Sequence, residues 1–221
     1  MKTIAKCCLL AWGLSVPGVG LVAQDASVGR SKVSVHLGPS WYLGKFIGIT
    51  DYASSYRDGL RSGMAWSVNY SFTCDGHSPC RIAPGVMYLG SRYKNSHDEG
   101  SDKIQMHYIA PQVAFRYVKP SFSISAGAGA GYQFYKDKST VFGNPRDVSM
   151  NKLAFNLSAE GEYLFATDWG VSARLDWISS GSDSYSVKYH GREWQVENPR
   201  SGDGGGAFSR LSLLFGLNYH F

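Results

Sequence analysis

Phe208-Ser209-Arg210-Leu211-Ser212-Leu213-Leu214-Phe215-Gly216-Leu217-Asn218-Tyr219-His220-Phe221 closes the chain, and its rhythm decides how the rest is read. Leu211, Leu213, Phe215, Leu217, Tyr219 and Phe221 recur at every second position. Arg210, Ser212, Gly216, Asn218 and His220 stand between them, with Leu214 the one large apolar intruder. A repeat of two places successive side chains on opposite faces of an extended strand, so this segment has one apolar and one polar face.

The same rhythm returns upstream. Trp169, Val171, Ala173, Leu175 and Trp177 alternate with Gly170, Ser172, Arg174 and Asp176. Leu153, Phe155, Leu157, Ala159 and Tyr163 alternate with Asn156, Ser158, Glu160 and Glu162. Phe122, Ile124, Ala126, Ala128, Tyr132 and Phe134 face away from Ser123, Ser125, Gly127, Gly129, Gly131 and Gln133. Near the start, Leu60, Met64, Trp66, Val68, Tyr70 and Phe72 oppose Arg61, Gly63, Ser67, Asn69 and Ser71, and Val33, Val35, Leu37 and Trp41 oppose Ser34, His36, Gly38 and Ser40. Two further strands are less regular. Arg81–Tyr93 is apolar on both faces, and Lys103–Tyr117 is clear only in its second half. Pro84 and Pro111 each remove a ladder donor, and a bulge is expected at each.

Eight strands result, and their connections alternate in length. The segments Leu43–Asp58, Lys94–Asp102, Lys136–Met150 and Ser180–Ala207 read as long loops. Thr73–Ser78, Val118–Pro120 and Phe165–Asp168 read as short links. All long loops then lie at one end and all short turns at the other, the asymmetry of outer-membrane barrels. The fold expected is all-β: an eight-stranded antiparallel up-and-down transmembrane barrel.

The opposite end of the chain is of another kind. Lys2 and Lys6 open it, Cys7–Val22 is apolar and free of acids, and Gln24 and Asp25 turn it polar. That order reads as a secretory signal peptide over residues 1–23 rather than a membrane anchor, because the apolar run is short and broken by Gly13, Pro17 and Gly20. Cleavage is expected between Ala23 and Gln24, and residues 24–221 are expected to form a single barrel domain. Removing Lys2 and Lys6 lowers the net charge from +5 to +3, which speaks neither for nor against nucleic acid, and none is expected as a partner. Cys74 and Cys80 remain in the exported part. They flank a turn-rich segment, and a disulfide between them is expected.

The apolar face could point inward, as in a soluble lipocalin-like barrel, or outward to lipid. Eight strands enclose only enough room for side chains to fill. The many aromatics crowd such an interior but suit girdles at two membrane interfaces, while the Ser and Gly of the polar face suit a narrow lumen. Outward is the expected direction, and the cell outer membrane the expected location.

The last residues, with Phe221 final and Tyr219, Leu217 and Phe215 on its face, resemble the C-terminal signal read by the barrel-assembly machinery. The whole of residues 30–221 is similar to the small OmpA/OmpX-type outer-membrane β-barrel families of Gram-negative bacteria. That resemblance implies an architecture rather than an activity, because these families host many functions. It also implies the assembly machinery, membrane lipid and other outer-membrane proteins as partners. A periplasmic peptidoglycan-binding domain such as that of the outer-membrane protein A family is not expected here.

Residues with chemistry to offer lie mostly on the polar face: His36, Arg61, Arg116, Glu160, Glu162, Arg174, Asp176, Arg210 and His220. A hairpin over Phe165–Asp168 sets Arg174 opposite or diagonal to Glu160 or Glu162. A salt-bridged lumen plug is the plain reading, and a proton or ion path the rival. Some small barrels modify lipid A with His and Ser near the outer rim, and His97, His190 and loop serines are the residues to consider here. The His-x-Ser pattern of the deacylases is missing, and Tyr189-His190-Gly191-Arg192 reads better as a hairpin tip. No Cys/His spacing suits zinc, Gly204–Gly206 follows no strand–helix pattern, and no cofactor is expected. The functional expectation is a non-enzymatic barrel with a structural or surface-interaction role carried by its external loops. The alternatives are an accessory subunit of a transport, secretion or assembly complex and, less favoured, a lipid A-modifying enzyme.

Overall fold

The computed structural model describes residues 31–44, 46, 54–74, 79–98, 100–181, 184–197 and 208–221. The expected signal peptide and its cleavage site, parts of the first, second and last external loops, the Asp75–Ser78 turn and the Gly204–Gly206 run lie outside these residues.

Alternation builds eight barrel strands: β1 (Ser31–Tyr42), β2 (Ser62–Phe72), β3 (Cys80–His97), β4 (Gly100–Val118), β5 (Phe122–Val141), β6 (Asn144–Leu164), β7 (Trp169–Ser180) and β10 (Arg210–His220). A hairpin of β8 (Ser184–Tyr189) and β9 (Arg192–Glu197), and one short helix, α1 (Ser54–Leu60), complete the described elements. Each barrel strand is antiparallel to its sequence neighbours, and β1 closes on β10. Ser31 and Phe221 exchange backbone hydrogen bonds of 3.0 Å, so both ends of the wall meet at one rim. Following cross-strand partners once around the wall leads from Lys32 through Ser71, Gly85, Gln112, Gly129, Asn156, Ile178 and Arg210 to Tyr42. The wall thus returns to its first strand displaced along it, and this stagger makes the strands tilt.

The two faces separate as expected. Val35, Leu37, Val68, Ile109, Phe115, Leu153, Leu157, Val171, Leu175, Phe215 and Leu217 are exposed on the outside, while Ser34, His36, Ser67, Asn69, Glu160, Arg174, Asp176 and Ser212 are buried within. Aromatics gather at both edges of the apolar belt. Tyr70, Phe72, Tyr163, Trp169, Tyr219 and Phe221 mark the rim with the termini, and Trp41, Tyr132, Phe134 and Trp177 the other. Water would not tolerate such a belt. It matches the apolar band and girdles of a transmembrane barrel.

Four sequence expectations are corrected. First, two of the long loops are strand. The β3–β4 ladder runs without a break to His97 opposite Gly100, and β5 and β6 pair as far as Val141 opposite Asn144. Second, neither proline makes a bulge. Pairing of β4 with β5 omits Ala110 and Pro111 but resumes at Gln112–Gly129 in the same register, and β3 keeps its register with β4 through Pro84. A missing donor interrupts a ladder without needing an inserted residue. Third, Leu60 and Arg61 do not belong to β2. Leu60 ends α1 and is fully buried, whereas Arg61 is a turn residue whose amide bonds the Asp58 carbonyl.

The fourth concerns Cys74 and Cys80, both exposed and not joined as a disulfide. The Cys74 amide donates to the Ile82 carbonyl, which sets Cys74 opposite Ile82 and makes Cys80 a diagonal neighbour. Diagonal neighbours stand about 7–8 Å apart, beyond the Cα separation a disulfide accepts.

Candidate functional site: a sealed lumen and an external sheet

Two regions carry chemistry. The first is the lumen. Toward the rim with the termini, Glu160 and Glu162 stand two apart on β6 and so point the same way. Glu160 accepts from Lys32, from Arg174 Nη1 at 3.2 Å and from Asn218 at 3.3 Å. Glu162 accepts from Arg116 Nη2 at 2.8 Å, Ser123 at 2.8 Å and Asn218 at 2.6 Å, and pairs with His220 at 2.6 Å. Arg174 turns its Nε to Asp176 at 2.9 Å and its Nη2 to Gln112 at 3.3 Å. His36 meets Ser172 at 2.8 Å and, more loosely, Ser67 at 3.3 Å and Asn69 at 3.4 Å. The register explains the centre of this net, because Glu160 and Arg174 are direct cross-strand partners.

Of the sequence candidates, His36, Arg116, Glu160, Glu162, Arg174, Asp176 and His220 therefore join one network. Arg210 lies higher, fully buried, donating to Ser91 and to the Leu89 carbonyl at 3.2 Å. Arg61 is corrected out of the lumen. Its side chain is half exposed and faces Asp58 at 3.7 Å. Lys32 was missed, because the alternation was counted from Val33 and the lysine sits before it. Above the ionic layer, Ala65, Met87, Leu89, Tyr108, Ala110, Ala154, Ile178 and Leu214 form an apolar layer. The cavity left among Lys32, Asn69, Gln112, Arg116, Glu160 and Arg174 is about 20 Å³, room for about one water. Among the described residues these charged side chains pack as a salt-bridged plug.

The second region rises beyond the belt. The β5–β6 ladder ends in a turn at Phe142 and Gly143, with φ of 49° and 79°, and β8–β9 turns at His190 and Gly191, with φ of 51° and 74°. Positive φ at both central residues is the turn whose twist suits a two-residue hairpin. β8 pairs with the upper part of β6, Arg146 opposite Tyr189 and Val148 opposite Val187. A four-stranded sheet results, its inner face apolar and aromatic. A cleft of about 440 Å³ opens on that face, lined by Val141, Phe142, Tyr185, Tyr189 and Trp194, with Arg146 the only charge among the described residues that line it. Beneath the sheet, Arg146 reaches Asp102 at 3.4 Å and Asp137 at 3.8 Å, and Tyr56 of α1 donates to Asp102 at 2.6 Å. Burial, reinforced by the neighbouring Asp102 charge, pushes the Asp137 carboxyl up to about 7. His97 packs edge-on against Tyr56, and His190 sits at the β8–β9 tip, so the two belong to different hairpins. Among the described residues no group of three or more His, Cys, Asp or Glu side chains is placed to hold a metal.

No protein-family profile matches the chain, and no curated protein sequence matches it. Solved structures do. The chain is similar to a major outer membrane protein from Thermus thermophilus, with 15% identity over 86% of this chain and 99% of that one and a TM-score of 0.55. It is similar to Neisserial surface protein A at 10% identity over 88% and 99%, TM-score 0.51. It is also similar to Ail, the attachment invasion locus protein of Yersinia pestis, at 13% identity over 87% and 99%, TM-score 0.50. At these identities the likeness is one of fold. The chain shares with them the fold of an eight-stranded antiparallel transmembrane β-barrel.

Proposed function

We propose that the protein is a non-enzymatic integral barrel of the bacterial outer membrane, exported by its N-terminal segment, whose working surface is the sheet of β5, β6, β8 and β9. The observation that carries this is the contrast between the two regions. The charged layer of the lumen is packed around a cavity of only about 20 Å³, whereas the external sheet offers an open aromatic cleft of about 440 Å³. Phe142 is 69% exposed and Trp194 44%, beyond the belt that lipid covers. Exposed aromatics beside an open apolar cleft are the composition of an interaction surface.

Display of the full barrel on otherwise non-adherent cells tests the reading against immobilised host proteins and glycans. Wild-type display should confer adhesion that Trp194→Ala with Phe142→Ser removes, while heat-dependent gel mobility shows both barrels folded. Adhesion unchanged by the double variant would overturn it.

A second reading, an accessory subunit of a larger outer-membrane complex, draws on one feature. Among the described residues β9 pairs with β8 alone, so its outer edge is open to strand addition. Gentle detergent extraction would then recover a fixed partner, and Gln195→Pro would release it.

A further inference from the structure

Above the apolar belt, the outward face of β3, β4 and β5 changes character within one pair of residues. The upper part of the belt ends in Tyr88–Ile109–Tyr132, followed by Gly90–His107–Phe134. The next outward row is Arg92–Gln105–Lys136, and the one beyond it Lys94–Lys103–Lys138. Arg92, Lys94, Lys136 and Lys138 are exposed and Lys103 partly so. Five cations thus stand on three adjacent strands, three of them directly opposite one another. Like charges placed directly opposite across a sheet destabilise it. Among the described residues none of the five has a carboxylate in ion-pair contact. Asp147, opposite Lys138, is the only acid flanking the row among the described strands. Folding alone does not account for a row of unneutralised lysines.

We propose that this row is a binding site for the phosphate groups of an anionic lipid in the external leaflet. The inference rests on the membrane placement proposed above but not on the aromatic cleft. Height favours a lipid as the source of the phosphates. The row lies just beyond Tyr132 and Phe134, aromatics of the interface, which is where headgroups stand. Basic side chains at that level draw anionic headgroups, and lysines on long stems reach them while their backbone stays in the wall. The wall supplies a flat, rigid array, so the bound lipid would also remove the repulsion between Lys94, Lys103 and Lys138.

Full-length mature barrel in phosphatidylcholine nanodiscs doped with diphosphoryl lipid A provides the test, with retained lipid counted by native mass spectrometry. Wild type should keep lipid A in preference to phosphatidylcholine. A Lys94→Gln, Lys103→Gln, Lys138→Gln triple variant should lose that preference by roughly tenfold or more, while Lys119→Gln at the opposite rim should not. Lys103→Gln alone gives a second readout of opposite signs. It should raise the urea midpoint in phosphatidylcholine, where only repulsion is removed, and lower it with lipid A present. Retention by the triple variant equal to wild type would overturn the proposal, as would pyrophosphate in solution binding as tightly as lipid A. A barrel that fails the gel-mobility check in either disc would instead count against the membrane placement itself.

Discussion

Glu160 shows how much a single side chain can hold when a wall closes around it. Lys32, Arg174 and Asn218, from three different strands, converge on its two oxygens. Glu160→Ala leaves the lysine buried without its nearest counter-charge and weakens the hold on Arg174. Breaking a buried pair costs about 3–5 kcal/mol, and urea unfolding in bilayers should show a loss of that size. Ser212 is a useful contrast, because among the described residues its hydroxyl meets only the Ser40 hydroxyl at 2.8 Å. Ser212→Ala should cost about 1 kcal/mol. The Arg174–Glu160 contact was legible in the sequence, since a short turn and a period of two leave few registers. Gln112 and Asn218, which complete the network, were not singled out, because uncharged polar residues on an inward face give no sign of which partner they will meet.

The elements divide at the height of the aromatic girdle. Below it, β10 carries the face argument. Leu213 lies toward the middle of the belt and Tyr219 at its edge, so Leu213→Arg should cost about 2–4 kcal/mol and Tyr219→Arg about 0–1. Nitroxides at odd positions between 211 and 217 should respond to lipid-soluble oxygen and those at even positions should not. Above the girdle, the β5–β6 extension should respond to pH through Asp137. Asp102 from β4 and Arg146 from β6 are the charged groups that act on it, and Tyr135 of its own strand feels its charge in turn. The folded carboxyl keeps its proton between the ordinary 3.8 and about 7, where a detached one has lost it. The extension is therefore most stable at the acid end of that window and loosens as pH rises through about 7. Hydrogen exchange at the hairpin tip, corrected for its intrinsic pH dependence, should quicken across that range in wild type and stay level in Asp137→Asn. These extensions were read from sequence as loops because Lys136-Asp137-Lys138-Ser139 alternates only among polar residues. For β5–β6, the glycine of Val141-Phe142-Gly143-Asn144 between residues with strand propensity is the turn signal the sequence did offer.

At the scale of the molecule, a filled lumen predicts a silent barrel: insertion into planar bilayers should give no steps of porin size. The strand count, the order of the strands and the direction of both faces were legible because lipid and lumen impose opposite chemistry on every second residue. The hairpin sheet was not, since water imposes no such rule. The closure of β1 on β10 also bears on how the chain can enter a membrane at all. A lone β6–β7 hairpin would carry Glu160, Glu162, Arg174 and Asp176 into hydrocarbon with an unpaired edge on either side. Lys32, which neutralises Glu160, arrives with β1, the strand that also joins the two ends of the wall. Hairpin-by-hairpin insertion would therefore carry a charge cost that the closed barrel relieves only when β1 brings Lys32 to Glu160. Variants of Lys32 or Glu160 should slow assembly as well as weaken its product.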